Sequence, residues 1–186
     1  MRKVIAAFNM TLDGFCDHTA ITPDEEVHQH YTELLHDGDV ILYGKTTYQL
    51  MQFWQTLIKN PSGEKSMDDF ARAIDEIPKL VFSHTLKNEG AEAIGWESAK
   101  LAERSLEEEV LEHRQKPGKD IFVGSRSLII QLMNLHLIDE LQLCVHPVVA
   151  GSGLPLFENI SDRMALKLTK TKTFRGGGVI LYYEPV

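Results

Sequence analysis

Short runs that are apolar on both faces recur along the chain, separated by segments of helical period. A strand without a polar face must be covered on both sides, which crossover helices on an α/β sheet provide and a half-solvated antiparallel sheet does not. Val4-Ile5-Ala6-Ala7-Phe8 is the first such run. Thr22-Pro23-Asp24-Glu25 then reads as a capping box with proline at the first helical position. Val27, Tyr31, Leu34 and Leu35 give the following helix one buried stripe, and Asp37-Gly38 ends it. Val40-Ile41-Leu42-Tyr43 is the second buried strand and stops at Gly44. Helical character over 45–54 is broken by Asn60-Pro61-Ser62-Gly63. Lys79-Leu80-Val81-Phe82 forms a third strand, and Ala93-Ile94-Gly95-Trp96 a short fourth. A charged helix starts near Ser98 or Ser105, turns Leu106, Val110 and Leu111 inward, and stops at Pro117-Gly118. Ile121-Phe122-Val123 is a further strand, after which Gly124-Ser125-Arg126-Ser127 opens a helix carrying Leu128, Leu132 and Leu135 on one face.

The last third changes character. Leu141, Leu143 and Val145 alternate with Gln142, Cys144 and His146, a strand with two different faces. Two more strands, over 165–174 and 179–183, are joined by Arg175-Gly176-Gly177-Gly178, a hairpin connection. The expected fold is therefore α/β, with a mostly parallel central sheet, helices on both faces and a C-terminal antiparallel hairpin. Lys167, Lys170 and Lys172 suit a guarded edge strand. Neither a repeat nor a linker divides the chain, so residues 1–186 read as one domain.

Composition removes several function classes. With 19 Lys+Arg against 27 Asp+Glu, the net charge is −8. Non-specific binding to nucleic acid or to an anionic membrane would be repulsive on average. Cys16 and Cys144 form no C-x-x-C pair and no disulfide framework. The early apolar run is too short for a signal-peptide core or a membrane span, so a soluble cytoplasmic protein is expected. His28 and His30 stand two apart on a helix and face different ways, so no metal site is expected. There is no G-x-S-x-G elbow.

Gly38 followed by Gly44-Lys45-Thr46 imitates a P-loop, but five residues intervene where four are needed, and they form a strand. What survives is a strand ending in Gly44, with Lys45, Thr46 and Thr47 opening a helix. Gly124, Ser125, Arg126 and Ser127 repeat that arrangement. Each segment alone is equally a plain capped helix with a solvated cation. Together they lie at carboxyl ends of strands, where open α/β sheets bind ligands, and a dinucleotide's pyrophosphate can bridge two helix N-termini. Ser83, His84 and Thr85 leave the third strand as a polar exit beside them.

Several segments together resemble a known family: Met10-Thr11-Leu12-Asp13-Gly14-Phe15, Leu42-Tyr43-Gly44-Lys45-Thr46-Thr47-Tyr48, Pro78-Lys79-Leu80-Val81-Phe82-Ser83-His84-Thr85, Asp120-Ile121-Phe122-Val123-Gly124-Ser125-Arg126, and Leu137-Ile138-Asp139-Glu140-Leu141 running on to His146-Pro147-Val148-Val149-Ala150-Gly151-Ser152-Gly153. In this order they resemble the dihydrofolate-reductase-like superfamily, in particular the reductase domain of the riboflavin-biosynthesis deaminase–reductase. The zinc signature of that enzyme's deaminase half, H-x-E with P-C-x-x-C, does not occur. The resemblance implies a three-layer dihydrofolate-reductase-like fold, NADPH as cofactor and hydride transfer to a small heterocycle, either a ribosylaminopyrimidine or a pterin. The other function class kept open is a nucleotide-binding protein of this fold without reductase activity. The resemblance also implies a homodimer. It maps the pyrophosphate onto Gly44 to Thr47 and Gly124 to Ser127, the ribose 2′-phosphate onto Ser83, His84 and Thr85, and the nicotinamide onto the backbone at Ala7. His84 stands where relatives often carry an arginine.

For proton supply the candidates are Asp13, in the loop after the first strand, and Glu25, at the start of the first helix beside Asp24 and Glu26. Asp13 admits a second reading as an Asp-Gly turn residue, and Glu25 as an acid favoured by the helix dipole. Met51, Phe53 and Trp54 either wall a pocket or belong to the core.

Overall fold

The computed structural model describes residues 1–89 and 94–186. Among them, eight strands form one sheet: β1 (Val4–Thr11), β2 (Gly38–Gly44), β3 (Lys79–Phe82), β4 (Ala99–Leu101), β5 (Asp120–Val123), β6 (Glu140–His146), β7 (Leu166–Thr173) and β8 (Val179–Pro185). Their order across the sheet is β4-β3-β2-β5-β1-β6-β8-β7. The first six run parallel, and β8 and β7 close one side as an antiparallel hairpin. β7 is the edge strand, with Lys167 and Lys170 exposed on it.

Helices cover both faces, which explains why the inner strands carry no polar side. Val4, Ala6, Leu42, Ile121 and Val123 point to one face. There they pack with Val110 of α6 (Leu106–Gln115) and Ile129 and Leu132 of α7 (Arg126–Asn134). The intervening residues Ile5, Ile41, Tyr43 and Phe122 point the other way. They meet Leu35 of α1 (Glu25–His36), Tyr48 of α2 (Lys45–Met51) and Ile74 of α4 (Lys65–Glu76). The period of two along each strand therefore builds two apolar cores from one sheet. Two short helices, α3 (Phe53–Lys59) and α5 (His84–Glu89), complete the chain's helices among the described residues.

Several local expectations need correction. The first helix is capped by Asp24, not Thr22: Asp24 is extended and its carboxylate accepts from the Val27 N–H at 2.9 Å, so Pro23 lies outside the helix. The helical stretch 45–54 is two helices, α2 and α3, meeting at Gln52. A further helix, α4, follows the Asn60–Gly63 break, with Ala71, Ala73 and Ile74 buried among charged neighbours. Of the proposed strand 93–96, residue 93 lies outside the described residues and 94–96 are not a strand. The fourth strand is Ala99–Leu101, and Trp96 is instead core, its indole N–H donating to Asp75 at 2.7 Å. Leu111 and Leu135 are about two-fifths exposed rather than inward. Ser105, the later of the two proposed starts, caps α6 in a reciprocal capping box with Glu108.

One mismatch of strand lengths positions everything that follows. β5 ends at Val123, paired with Ala6, whereas β1 continues to Thr11 alongside β6. From Ala7 onward, β1 has no β5 neighbour. A crevice opens there at the carboxyl ends of the parallel strands.

Candidate functional site

That crevice widens into a cavity of about 570 Å³. Its floor is the end of β1, with Ala7, Phe8 and Asn9. One side is Gly44, Lys45, Thr46 and Thr47 at the start of α2, and the facing side is Gly124, Arg126 and Ser127 at the start of α7. The two helix starts read from the sequence are thus walls of one cavity. They are also linked: the Ser125 hydroxyl, itself buried, accepts from the Gly44 N–H at 2.9 Å. Because that hydroxyl is turned to Gly44, it caps none of α7's own N–H groups, and glycine at the start of α2 has no side chain to cap with. Both helix dipoles present their positive ends to the cavity. A glycine there also lets the serines at the start of α7 come close to β2, since a Cβ on Gly44 would lie 3.3 Å from Ser127 Oγ.

The two cations are placed differently from a simple expectation. Both Lys45 and Arg126 line the cavity. Arg126 is largely buried, its Nε donates to the Pro155 carbonyl at 2.5 Å, and its guanidinium pairs with Glu158. An anion entering beside α7 must share that guanidinium with Glu158.

At the far end the cavity is aromatic. Trp54 and Phe70 meet edge to face with ring centroids 4.6 Å apart, and the His28 ring lies 5.7 Å from Trp54. Burial depresses the His28 pKa, against a smaller opposing pull from Asp24 and Glu64, so the ring is neutral at pH 7. Met51 belongs to this wall as proposed, whereas Phe53 is half-exposed and outside it. The sequence gives no sign of His28, Tyr31 and Phe70 as cavity residues, because only the α1–α4 packing brings them over the end of β1, where Asn9 already stands.

Ser83, His84 and Thr85 lie beyond this cavity at the end of β3, next to Gly44 across the β2–β3 ladder. The Ser83 hydroxyl accepts from the Leu86 N–H at 3.1 Å, and His84 and Thr85 are exposed. Neither proposed proton donor lines the cavity. Glu25 is exposed on the first turn of α1. Asp13 is a loop anchor: it accepts from Thr11 Oγ1 at 2.6 Å and from the N–H groups of Ala150 and Gly151 at 3.1 and 2.7 Å.

The Thr11 hydroxyl, followed by the Ala150 N–H, holds the Asp13 carboxyl down at about 2. With the folded value below the ordinary 3.8, the anchoring is present above that value and is lost as pH falls towards 2. Amide exchange at Ala150 and Gly151 is expected to accelerate over that interval, and in Asp13→Asn to be faster already at neutral pH with a flatter acid dependence. Unchanged exchange in Asp13→Asn would show that the loop holds without this carboxylate.

The family model described as the RibD C-terminal domain matches residues 2–181. The chain belongs to the RibD C-terminal domain family. The uncharacterized protein YyaP of Bacillus subtilis (strain 168) is 34% identical over 191 residues, covering 98% of this chain and 95% of that protein. Among solved structures, a pyrimidine reductase-like protein from Corynebacterium diphtheriae superposes with a TM-score of 0.67 at 15% identity, covering 100% of this chain and 92% of the other. A diaminohydroxyphosphoribosylaminopyrimidine deaminase/5-amino-6-(5-phosphoribosylamino)uracil reductase from Thermotoga maritima does so with a TM-score of 0.62 at 15% identity, covering 100% of this chain and 57% of the larger one. At these identities the structural likeness establishes the fold alone, dihydrofolate-reductase-like, and the family match carries the kinship with RibD C-terminal domains.

Proposed function

We propose that this RibD C-terminal domain protein is an NADPH-dependent reductase of a small heterocycle, a ribosylaminopyrimidine or a pterin. The observation that carries the reading is one continuous cavity with two uncapped helix starts at one end, an aromatic wall at the other, and an unpaired strand edge between them. A nicotinamide dinucleotide has that same sequence of parts: an anionic pyrophosphate, then a flat ring with a carboxamide. The residues fit it. Gly44 to Thr47 and Gly124 to Ser127 offer N–H donors, hydroxyls and two cations to the pyrophosphate. The Ala7 carbonyl, beyond the last β1–β5 residue pair, offers an acceptor to a carboxamide. Ser83, His84 and Thr85 stand where the adenosine end would leave the cavity.

When bound, the reduced nicotinamide supplies the hydride, and the protein's own residues orient and desolvate. Trp54, Phe70 and Met51 exclude water from the substrate end. A proton for the product does not come from Asp13, which is ionised and occupied, nor from Glu25, which is outside. In this reading it comes from water admitted at the cavity mouth. One observation favours the second reading, a nucleotide-binding protein without reductase activity: both carboxylates expected as proton donors lie outside the cavity.

The deciding experiment follows nicotinamide absorbance while the purified protein and NADPH are offered aminopyrimidines and oxidised pterins. Oxidation of NADPH that depends on protein and on one class of heterocycle supports the reductase. Bound NADPH that no member of either class oxidises favours the second reading.

A further inference from the structure

The cavity floor carries a polar network that cofactor binding does not use. Asn9 stands on β1 two residues beyond Ala7, on the same face of the sheet and in register with Cys144 of β6. The Tyr31 hydroxyl, reaching down from α1, donates to Asn9 Oδ1 at 3.3 Å. His146 Nε2 lies 2.8 Å from the same oxygen, with Cys144 Sγ 3.5 Å from that nitrogen.

These contacts fix which way round the carboxamide sits. Burial suppresses ionisation of the Tyr31 phenol, so it keeps its proton, and Asn9 Oδ1 is its acceptor among the described residues. Turning the amide over would aim an N–H at that O–H and leave the phenol proton without a partner. His146 is neutral by burial, and with Oδ1 set by Tyr31 the tautomer that fits the 2.8 Å contact carries its proton on Nε2 and completes the pair of donors. Nδ2 is then directed away from both donors, and no described residue accepts from it, although Asn9 lines the cavity. A fixed donor pair open to the cavity, opposite no acceptor among the described residues, is placed to take an acceptor from a ligand.

We propose that Asn9 selects the substrate's edge: its locked N–H donors take a lactam carbonyl oxygen in preference to an amino group at the same position. This rests on the reductase reading of the cavity. Asn9 is a specificity residue, and Tyr31 and His146 are positioning residues acting through it. The flat ring lies in the same cavity as Trp54, Phe70 and His28, whose faces tolerate any heterocycle and so leave discrimination to Asn9.

The test titrates two probes of one shape, 2,4-dioxopteridine and 2,4-diaminopteridine, into protein saturated with NADPH. Native protein is expected to bind the dioxo compound tighter by about tenfold, the scale of one well-placed hydrogen bond and the penalty for leaving it unmade. Asn9→Asp keeps the shape but presents only acceptors, and is expected to reverse the order. Tyr31→Phe leaves Asn9 in place but releases the amide to turn over, so the preference shrinks. It serves as the test if Asn9→Asp does not fold. An unchanged preference in either variant, or binding of neither probe to the native protein with NADPH bound, overturns the assignment of Asn9. Failure of the native protein to bind NADPH at all would instead overturn the reductase reading beneath it.

Discussion

Alanine at Gly124 is expected to damage stability and nucleotide binding together. Its added Cβ would stand 2.6 Å from Tyr43 Cε1 and 3.4 Å from Ile41 Cδ1, and the Tyr43 ring is 3% exposed. The ring cannot swing to solvent, so β2 and β5 must part or the ring must leave its rotamer. Overpacking of this kind costs about 1–3 kcal/mol. For a chain of this size that lowers Tm by roughly 2–12 °C. The same displacement separates Gly44 from Ser125, breaking the hydrogen bond that joins the two helix starts. Differential scanning calorimetry and a nucleotide titration on one preparation read both effects. A Gly124→Ala protein with native Tm and native affinity would show that the close approach at this turn is not needed.

The second large effect is electrostatic. Removing both Lys45 and Arg126 takes away the two cations that line the pyrophosphate end. Hydrogen bonds to charged groups contribute about 1.5–3 kcal/mol each. The Arg126 share falls at the lower end, because the guanidinium must be shared with Glu158 and the Pro155 carbonyl. The doubly substituted Lys45→Ala, Arg126→Ala protein should therefore bind NADPH about a hundredfold or more weakly. Glu158→Gln should shift affinity the other way. It removes the rival for Arg126, and since Glu158 is 43% exposed the gain stays within about fivefold. Unaltered affinity in the double variant would place the pyrophosphate elsewhere.

Much of the fold was legible because it rests on two-sided apolar strands. Residues 4–8, 40–43, 80–82 and 121–123 have no polar face, and a parallel sheet between two helical layers is the arrangement that covers them. Capping and propensity were less decisive. Thr22-Pro23 satisfies the pattern of a helix start, yet Asp24, with a carboxylate that reaches the Val27 N–H, takes the cap. The α4 segment carried a legible signal as well, since Met67, Phe70, Ala71 and Ile74 stand at i, i+3, i+4 and i+7, the spacing of one buried helical stripe. Gly44 to Thr47 and Gly124 to Ser127 were legible as helix starts at strand ends, which local chemistry dictates.

The substrate end was not legible. Asn9, Tyr31, His28 and Phe70 come from β1, α1 and α4, and no spacing in the chain announces that they meet. Asp13 shows the opposite failure: its position after β1 suggested chemistry, while its partners Thr11, Ala150 and Gly151 make it an anchor of the loop after β6. Whether a carboxylate donates protons or ties down backbone depends on partners more than a hundred residues away.

The most direct measurement is a fluorescence titration of the purified protein with NADPH and, separately, NADH. Trp54 lines the cavity and Trp96 is buried in the adjoining core, so energy transfer from them reports nicotinamide bound between β1 and the two helix starts. A saturable, low-micromolar signal with NADPH, weakened in the Lys45→Ala, Arg126→Ala protein, is the predicted result. No saturable signal with either nucleotide would contradict the account and leave a reductase fold whose cavity serves another ligand.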